Sequence, residues 1–234
     1  MKLCIIPARG ASKRIPRKNI KPFLGKPIIA YSIEAALQSG CFDQVIVSTD
    51  DAEIAEVARK YGAETPFIRP KTLANDHAGT LPVIKQAIEW MEAQGAVVEL
   101  TCCLYATSPM LQPKHLQEAL QQLQASQADY CFSVTEFPSA IQRAFKITES
   151  SRLEMFYPEC FNTRSQDLEL AYHDAGQFYW GKSSVFKQEK PLYSEFSSPY
   201  RLPRYLVQDL DTPEDWIQAE LMYQAFIESG YALR

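Results

Sequence analysis

No apolar run in this 234-residue chain approaches the roughly 20 residues that cross a bilayer, so the sequence predicts no membrane span and no membrane partner. Excess positive charge is absent as well. A formal net charge of -4 argues against general nucleic-acid binding. The six cysteines include the adjacent pair Cys102 and Cys103 but no Cys-x-x-Cys, and Cys4, Cys102, Cys103 and Cys131 lie inside apolar stretches. That placement reads as buried free thiols and points away from a disulfide framework or a zinc site. The three histidines, His77, His115 and His173, are scattered without ligand spacing. His115 falls in the first turn of a predicted helix and reads as exposed; His173 alone is kept as a site candidate. The basic stretch at 6–19 holds no Gly-Lys-Ser/Thr four residues after a glycine and no Gly-x-Gly-x-x-Gly, so it is neither a Walker A nor a dinucleotide-binding loop. No secretory leader is legible, since Met1-Lys2 runs directly into a strand. A cytoplasmic protein is expected.

What the chain does have is a concentration of positive charge in one place. Residues 6–19 carry five of the 24 Lys and Arg residues and no acid, directly after the apolar run at 3–6. Gly10, Ala11 and Ser12 are small enough for backbone to approach a ligand, and Pro7 and Pro16 keep the segment from becoming a helix. Open α/β sheets bind anions in loops at the carboxyl ends of their strands. The segment therefore reads as a phosphate cradle, with backbone N–H groups around Gly10 and the Ser12 hydroxyl on phosphate oxygens and Arg9, Lys13 and Lys18 supplying charge.

The remaining pattern alternates strand and helix. Apolar positions from Ile28 to Leu37 share a helical face, with Gly40 as the stop. A strand at 45–49 follows, then a helix through Tyr61 with Asp50 and Glu53 as its capping box. Helices are predicted at about 81–94 and 113–126, strands at 100–106 and 130–135. The chain thus reads as one α/β domain over residues 1–234, a mostly parallel central sheet with helices on both faces. The rhythm breaks at 138–174, which has no clean period and reads as an arm leaving the sheet. It resumes at 176–180, with short strands expected at 185–186 and 204–207. A final helix opens on Thr212-Pro213, with Trp216, Ala219, Met222, Tyr223, Phe226 and Ile227 as its packed stripe.

Asp209 and Asp211, two apart on an extended segment, project to one side with Leu210 opposite, an arrangement that suits a hard cation such as Mg²⁺ bridging to phosphate. Asp211 also reads as help for the final helix cap. A looser group, Arg69, Arg143, Arg164, Gln166, Tyr172, His173 and Gln177, suits a carboxylated, polyhydroxylated ligand, because Arg grips a carboxylate with two hydrogen bonds.

The run from Ile6 to Asn19, Ile-Pro-Ala-Arg-Gly-Ala-Ser-Lys-Arg-Ile-Pro-Arg-Lys-Asn, resembles the signature loop of the CMP-sugar synthetases for acidic sugars. The likeness continues through Gly25-Lys26-Pro27, Val47-Ser48-Thr49-Asp50-Asp51, Arg69-Pro70, Leu73-Ala74-Asn75-Asp76, Ala106-Thr107-Ser108-Pro109 and Asp209-Leu210-Asp211. The resemblance implies a Rossmann-like nucleotidyltransferase fold, a dimerisation arm at 138–174 and hence a homodimer. It also implies a reaction of CTP with a sugar acid that gives CMP-sugar and pyrophosphate. Ala8, Arg9, Gly10, Ser12, Lys13, Lys18, Asn19 and Arg69 become nucleotide contacts. Lys18, Arg9 and Asp211 become catalytic, and Asp209 and Asp211 become Mg²⁺ ligands.

Tyr105 departs from the sialate pattern, which has Gln at that position. The runs at 133–137, 141–144, 164–169 and 172–180 resemble the pseudaminic acid branch, whose substrate is a nine-carbon sugar acid. Tyr105, Thr107, Arg164, Gln166, His173 and Gln177 are then expected at the sugar. The alternatives are the same reaction on sialate, legionaminate or Kdo, or a CTP-sensing protein without turnover. No residue stands out as the general base.

Overall fold

The computed structural model describes residues 1–75 and 78–230; Asp76 and His77, quoted above, lie outside the described residues. In chain order the strands are β1 (Lys2–Pro7), β2 (Pro22–Phe23), β3 (Lys26–Pro27), β4 (Gln44–Ser48), β5 (Leu100–Leu104), β6 (Tyr130–Glu136), β7 (Phe145–Ile147), β8 (Leu153–Met155), β9 (Tyr172–Lys182) and β10 (Ser197–Arg201). The α-helices are α1 (Ile28–Ser39), α2 (Ala52–Lys60), α3 (Thr80–Ala93), α4 (Pro113–Ala125), α5 (Ser183–Lys187) and α6 (Pro213–Glu228).

Six strands form the central sheet in the order β10-β6-β9-β5-β1-β4, and every pairing is parallel except those of β9. Strand β1 shows why the sheet is covered twice. Cys4 and Ile6 join one core with residues of α1, α2 and α4, while Leu3 and Ile5 join another with residues of α3 and α5. All four are fully buried, so the run is continuously apolar where a one-sided strand would alternate. All six cysteines are free, and five are buried, in keeping with the sequence reading.

Strand β9 reverses because no helix carries the chain across the sheet after β6. The chain leaves at Glu136, makes its excursion, and returns antiparallel beside the strand it left, with Glu136 opposite Tyr172. The Phe137 N–H donates to the Ala171 carbonyl at 3.0 Å and closes the neck of the arm. Beyond that neck the arm holds the antiparallel pair β7 and β8, whose Phe145, Ile147 and Leu153 are exposed. The expected boundary at 174 is three residues long, since Tyr172, His173 and Asp174 already belong to β9.

Several local expectations need correcting. Helix α2 is capped by Asp51, whose Oδ1 accepts the Ile54 N–H at 3.0 Å; Asp50 is bound elsewhere. Val185 and Phe186 lie in α5, and residues 204–206 form a 3-10 turn. Both runs are too short for periodicity to separate strand from helix. Strand β10 went unread because its Ser-Ser-Pro-Tyr-Arg sequence is polar and carries a proline, which an edge strand tolerates. His115 is buried: its Nδ1 accepts the Gln112 N–H at 3.2 Å, and burial pushes its pKa down to about 4. The capping box of α6 is present between Thr212 and Asp215, with Trp216, Ala219 and Phe226 buried, but Ile227 is exposed.

Candidate active site

The loop after β1 is held by its own neighbours before any ligand is considered. Ala8 is pinned at the strand end by its N–H to the Ser48 carbonyl, 3.0 Å, and its side chain is fully buried in the core. The Asn19 side-chain amide donates to the Arg9 carbonyl at 3.0 Å, folding the loop back on itself. Arg9 reaches the Asn75 carbonyl at 3.2 Å. Arg69 is buried beneath them, with Nε on the Ser48 hydroxyl at 3.1 Å and Nη2 on the Ser48 carbonyl, and burial lowers its pKa to about 10.

Arg9, Asn19, Arg69 and Asn75 line a cleft of about 640 Å³ with Ser12, Lys13, Arg14, Lys18, Thr80, Tyr105 and Thr107 in its walls. Five cations line it, Arg9, Lys13, Arg14, Lys18 and Arg69, and no Asp or Glu does so among the described residues. Such a surface draws a polyanion.

The acidic segment before α6 meets this loop. Leu210 is buried against Phe23 and Trp216, which fixes the chain between the two aspartates. The Lys18 Nζ donates to the Leu210 carbonyl at 2.6 Å and stands 3.9 Å from Asp211 Oδ1, while Arg14 donates to the same oxygen at 2.6 Å. Partial burial lowers the Lys18 pKa, and Asp211 and Asp209 oppose that shift. Asp209 Oδ1 accepts the Leu210 N–H at 2.9 Å. Loop and acidic segment, far apart in sequence, are thus bonded to each other beside the cleft.

A second cavity of about 670 Å³ adjoins the first, and Tyr105 lines both. Its walls include Glu136, His173, Asp174, Tyr179, Arg204, Gln208 and Asp209. Tyr105 is steadied by its hydroxyl at 3.0 Å from the Thr80 hydroxyl and by its ring against Tyr179, 5.4 Å between centroids. Burial raises its pKa to about 12, so it stays a neutral phenol at ordinary pH. Asp174 accepts from the Tyr179 and Tyr193 hydroxyls at 2.5 and 2.7 Å and from the Gly176 N–H at 2.9 Å.

The sequence-derived candidates sort by these two spaces. Arg9, Ser12, Lys13, Lys18, Asn19, Arg69 and Thr107 line the first cleft, His173 and Asp209 the second, and Tyr105 both. Ala8 contributes backbone only, and the Gly10 N–H is occupied by Asp50, so it is not offered to a phosphate. Gln177 is buried, with Nε2 on the Leu206 carbonyl at 2.6 Å, and lines neither space. Arg164 and Gln166 lie on the arm, where Arg164 pairs with Asp167 at 2.7 Å. Arg204, absent from the sequence-derived set, is the one Lys or Arg lining the second cavity among the described residues. Only its proximity to Asp209 in sequence could have suggested it.

A cationic loop after the first strand meets an acidic segment at the carboxyl edge of the mostly parallel sheet, the ligand-binding edge of this kind of α/β fold. Two solved structures share it. One is a CMP:2-keto-3-deoxy-manno-octonic acid synthetase complexed with CTP, at TM-score 0.70 and 18% identity over 96% of this chain and 99% of that one. The other is a 4-diphosphocytidyl-2C-methyl-D-erythritol synthase from Anaerococcus prevotii, at TM-score 0.61 and 15% identity over 95% and 98%. Residues 3–219 match the cytidylyltransferase family, and the chain belongs to that family. It is 49% identical over 229 residues to the pseudaminic acid cytidylyltransferase of Campylobacter jejuni, covering 98% of this chain and 99% of the relative. It is 31% identical over 229 residues to the CMP-N,N'-diacetyllegionaminic acid synthase of Legionella pneumophila, covering 95% and 96%. The protein is therefore a nucleotidyltransferase enzyme, and no helix among its described residues is long and apolar enough to cross a membrane.

Proposed function

We propose that the protein transfers a cytidylyl group from CTP to pseudaminate, giving CMP-pseudaminate and pyrophosphate. The observation that carries this reading is the full-length 49% identity to a pseudaminic acid cytidylyltransferase. The geometry supports it: one cationic cleft and one mixed cavity meet at Tyr105. The cleft takes the triphosphate, and the cavity takes the sugar acid.

The C2 hydroxyl of the sugar acid attacks the α-phosphorus in line. An oxygen–phosphorus bond forms as the bond to the bridging oxygen breaks, and pyrophosphate leaves with that electron pair while the hydroxyl proton is released. Lys18, fixed by the Leu210 carbonyl, places its ammonium where charge develops on the phosphates, and Arg9 and Lys13 neutralise the departing pyrophosphate. Tyr105 separates the two substrates and presents a ring where the sialate pattern has an amide.

Mg²⁺ fits the donor set at Asp209 and Asp211. Both donors are carboxylates, and each uses Oδ1 in the bonds described. Two carboxylates leave coordination positions for phosphate and water. When bound, the ion supplies positive charge to the triphosphate. Exposed Phe145, Ile147 and Leu153 on the arm support a homodimer built through that hairpin. A cytoplasmic location follows from the use of CTP.

Pyrophosphate release measured with CTP, Mg²⁺ and each of pseudaminate, legionaminate, sialate and Kdo tests the proposal. The highest kcat/KM is expected with pseudaminate. A higher value with another acid reassigns the substrate, and CTP binding without release on any acid favours the sensing alternative.

A further inference from the structure

Two consecutive carboxylates at the end of β4 hold the two ends of the phosphate loop. Asp50 Oδ1 accepts the Gly10 N–H at 2.9 Å. Asp51 receives Arg17 on both oxygens, at 2.5 and 3.0 Å, and Glu53 receives the same guanidinium at 2.5 Å. Between these anchors lie Ser12, Lys13 and Arg14, which face the cleft, and Lys18 follows directly. None of Gly10, Arg17, Asp50 and Asp51 lines the cleft, so their bonds act on the loop.

The fit at both anchors is close. A Cβ on Gly10 would lie 2.7 Å from Asp51 Oδ2 and 2.9 Å from its Cβ, so only glycine lets the loop rest there. Arg17 is held at φ 54°, a left-handed conformation that arginine rarely adopts and that its bonds to Asp51 and Glu53 maintain. Asp51 is itself fixed as the cap of α2, so the helix, the strand end and the loop share one anchor. The Arg17 guanidinium holds the Asp51 carboxyl down at about 2, and the pair stays ionised across the physiological range.

We propose that Asp50 and Asp51 are positioning residues for cytidylyl transfer, holding the loop in its triphosphate-receiving shape before the nucleotide arrives. The inference rests on reading the loop as the triphosphate site. A polyanion would repel two carboxylates that faced it. Turned onto Gly10 and Arg17, they spend their charge on the loop and leave Lys13, Arg14 and Lys18 on the cleft side. Donors arranged in advance need no reorganisation during reaction.

The test compares wild type with Asp50→Ala, Asp50→Asn and Arg17→Lys. The readouts are CTP binding by calorimetry, steady-state pyrophosphate release and hydrogen exchange of the loop peptide. For Asp50→Ala the expected result is a CTP Kd and KM raised about tenfold, the cost of one charge-assisted hydrogen bond, with faster exchange at the loop and an unchanged KM for the sugar acid. Asp50→Asn keeps an acceptor oxygen and is expected to recover most of the affinity; Arg17→Lys keeps the charge but loses the fork and is expected to weaken CTP binding. Wild-type CTP affinity in Asp50→Ala overturns the proposal, as does equal loss in Asp50→Asn and Asp50→Ala. Should Asp50→Ala not fold, Arg17→Lys decides it, and wild-type affinity there overturns the proposal. Absence of CTP binding by the wild-type protein would instead remove the loop reading itself.

Discussion

The cationic cleft, proposed for the nucleotide, and the second cavity, proposed for the sugar, meet at Tyr105 but are built differently. Cleft side chains are tied to backbone: Arg9 to Asn75, Arg69 to Ser48, Lys18 to Leu210 and Asn19 to Arg9. The cavity draws its walls from β9, the turn at 204–206 and α6, and its one arginine is exposed. A triphosphate presents the same charges whatever sugar follows, so its site gains from rigidity. Relatives name pseudaminic, legionaminic and N-acylneuraminic acids, and under the proposed function this varying partner falls on the side assembled from distant segments.

The largest effect that would sharpen this contrast is expected at Lys18. Lys18→Ala should lower the turnover number about a hundredfold or more, because a preplaced cation at developing charge is lost, with little change in melting temperature. Near wild-type pyrophosphate release from that variant removes Lys18 from the chemistry. A smaller, one-sided effect is expected in the cavity. Arg204→Ala should raise the KM for the sugar acid about tenfold, the worth of a charge-assisted contact to its carboxylate, and leave the KM for CTP unchanged. Parallel changes in both constants would break the division between the two spaces.

The smallest effect concerns stability and has a defined sign. The folded Asp51 carboxyl sits at about 2 against an ordinary 3.8, so its contribution is present above about pH 4 and is lost as the pH falls toward 2. Arg17→Ala should lower the melting temperature by a few degrees at pH 6, and the gap from wild type should close between pH 4 and pH 2. A gap that stays constant over that range removes the Arg17–Asp51 pair as its source.

Much of the nucleotide side was legible because its signals are local. The loop's charge follows directly on β1, Gly40 ends α1 at φ 62°, and Thr212-Pro213 opens α6. Asp209 and Asp211 flank a leucine whose burial matches a simple alternation. The cavity was less legible because it depends on pairing between distant segments. Gln177 looks like a ligand contact in sequence, yet β9 carries it inward to the Leu206 carbonyl. Arg204 enters the wall only because that turn follows β10, an edge strand with no apolar pattern. Asp50 and Asp51 both fit a helix start, and only the fold assigns the cap to Asp51 and leaves Asp50 for Gly10.

The neck of the arm has a consequence for how such a protein can diversify. Phe137 and Ala171 are bonded neighbours, so everything between them is an excursion whose ends coincide. Lengthening a closed excursion costs little, because loop entropy grows only with the logarithm of its length. The segment can therefore be exchanged or resized without shifting the register of β6 on β9. His173 and Asp174 stand just past the return point, so a new arm would be delivered to the rim of the second cavity while the cationic cleft keeps its shape.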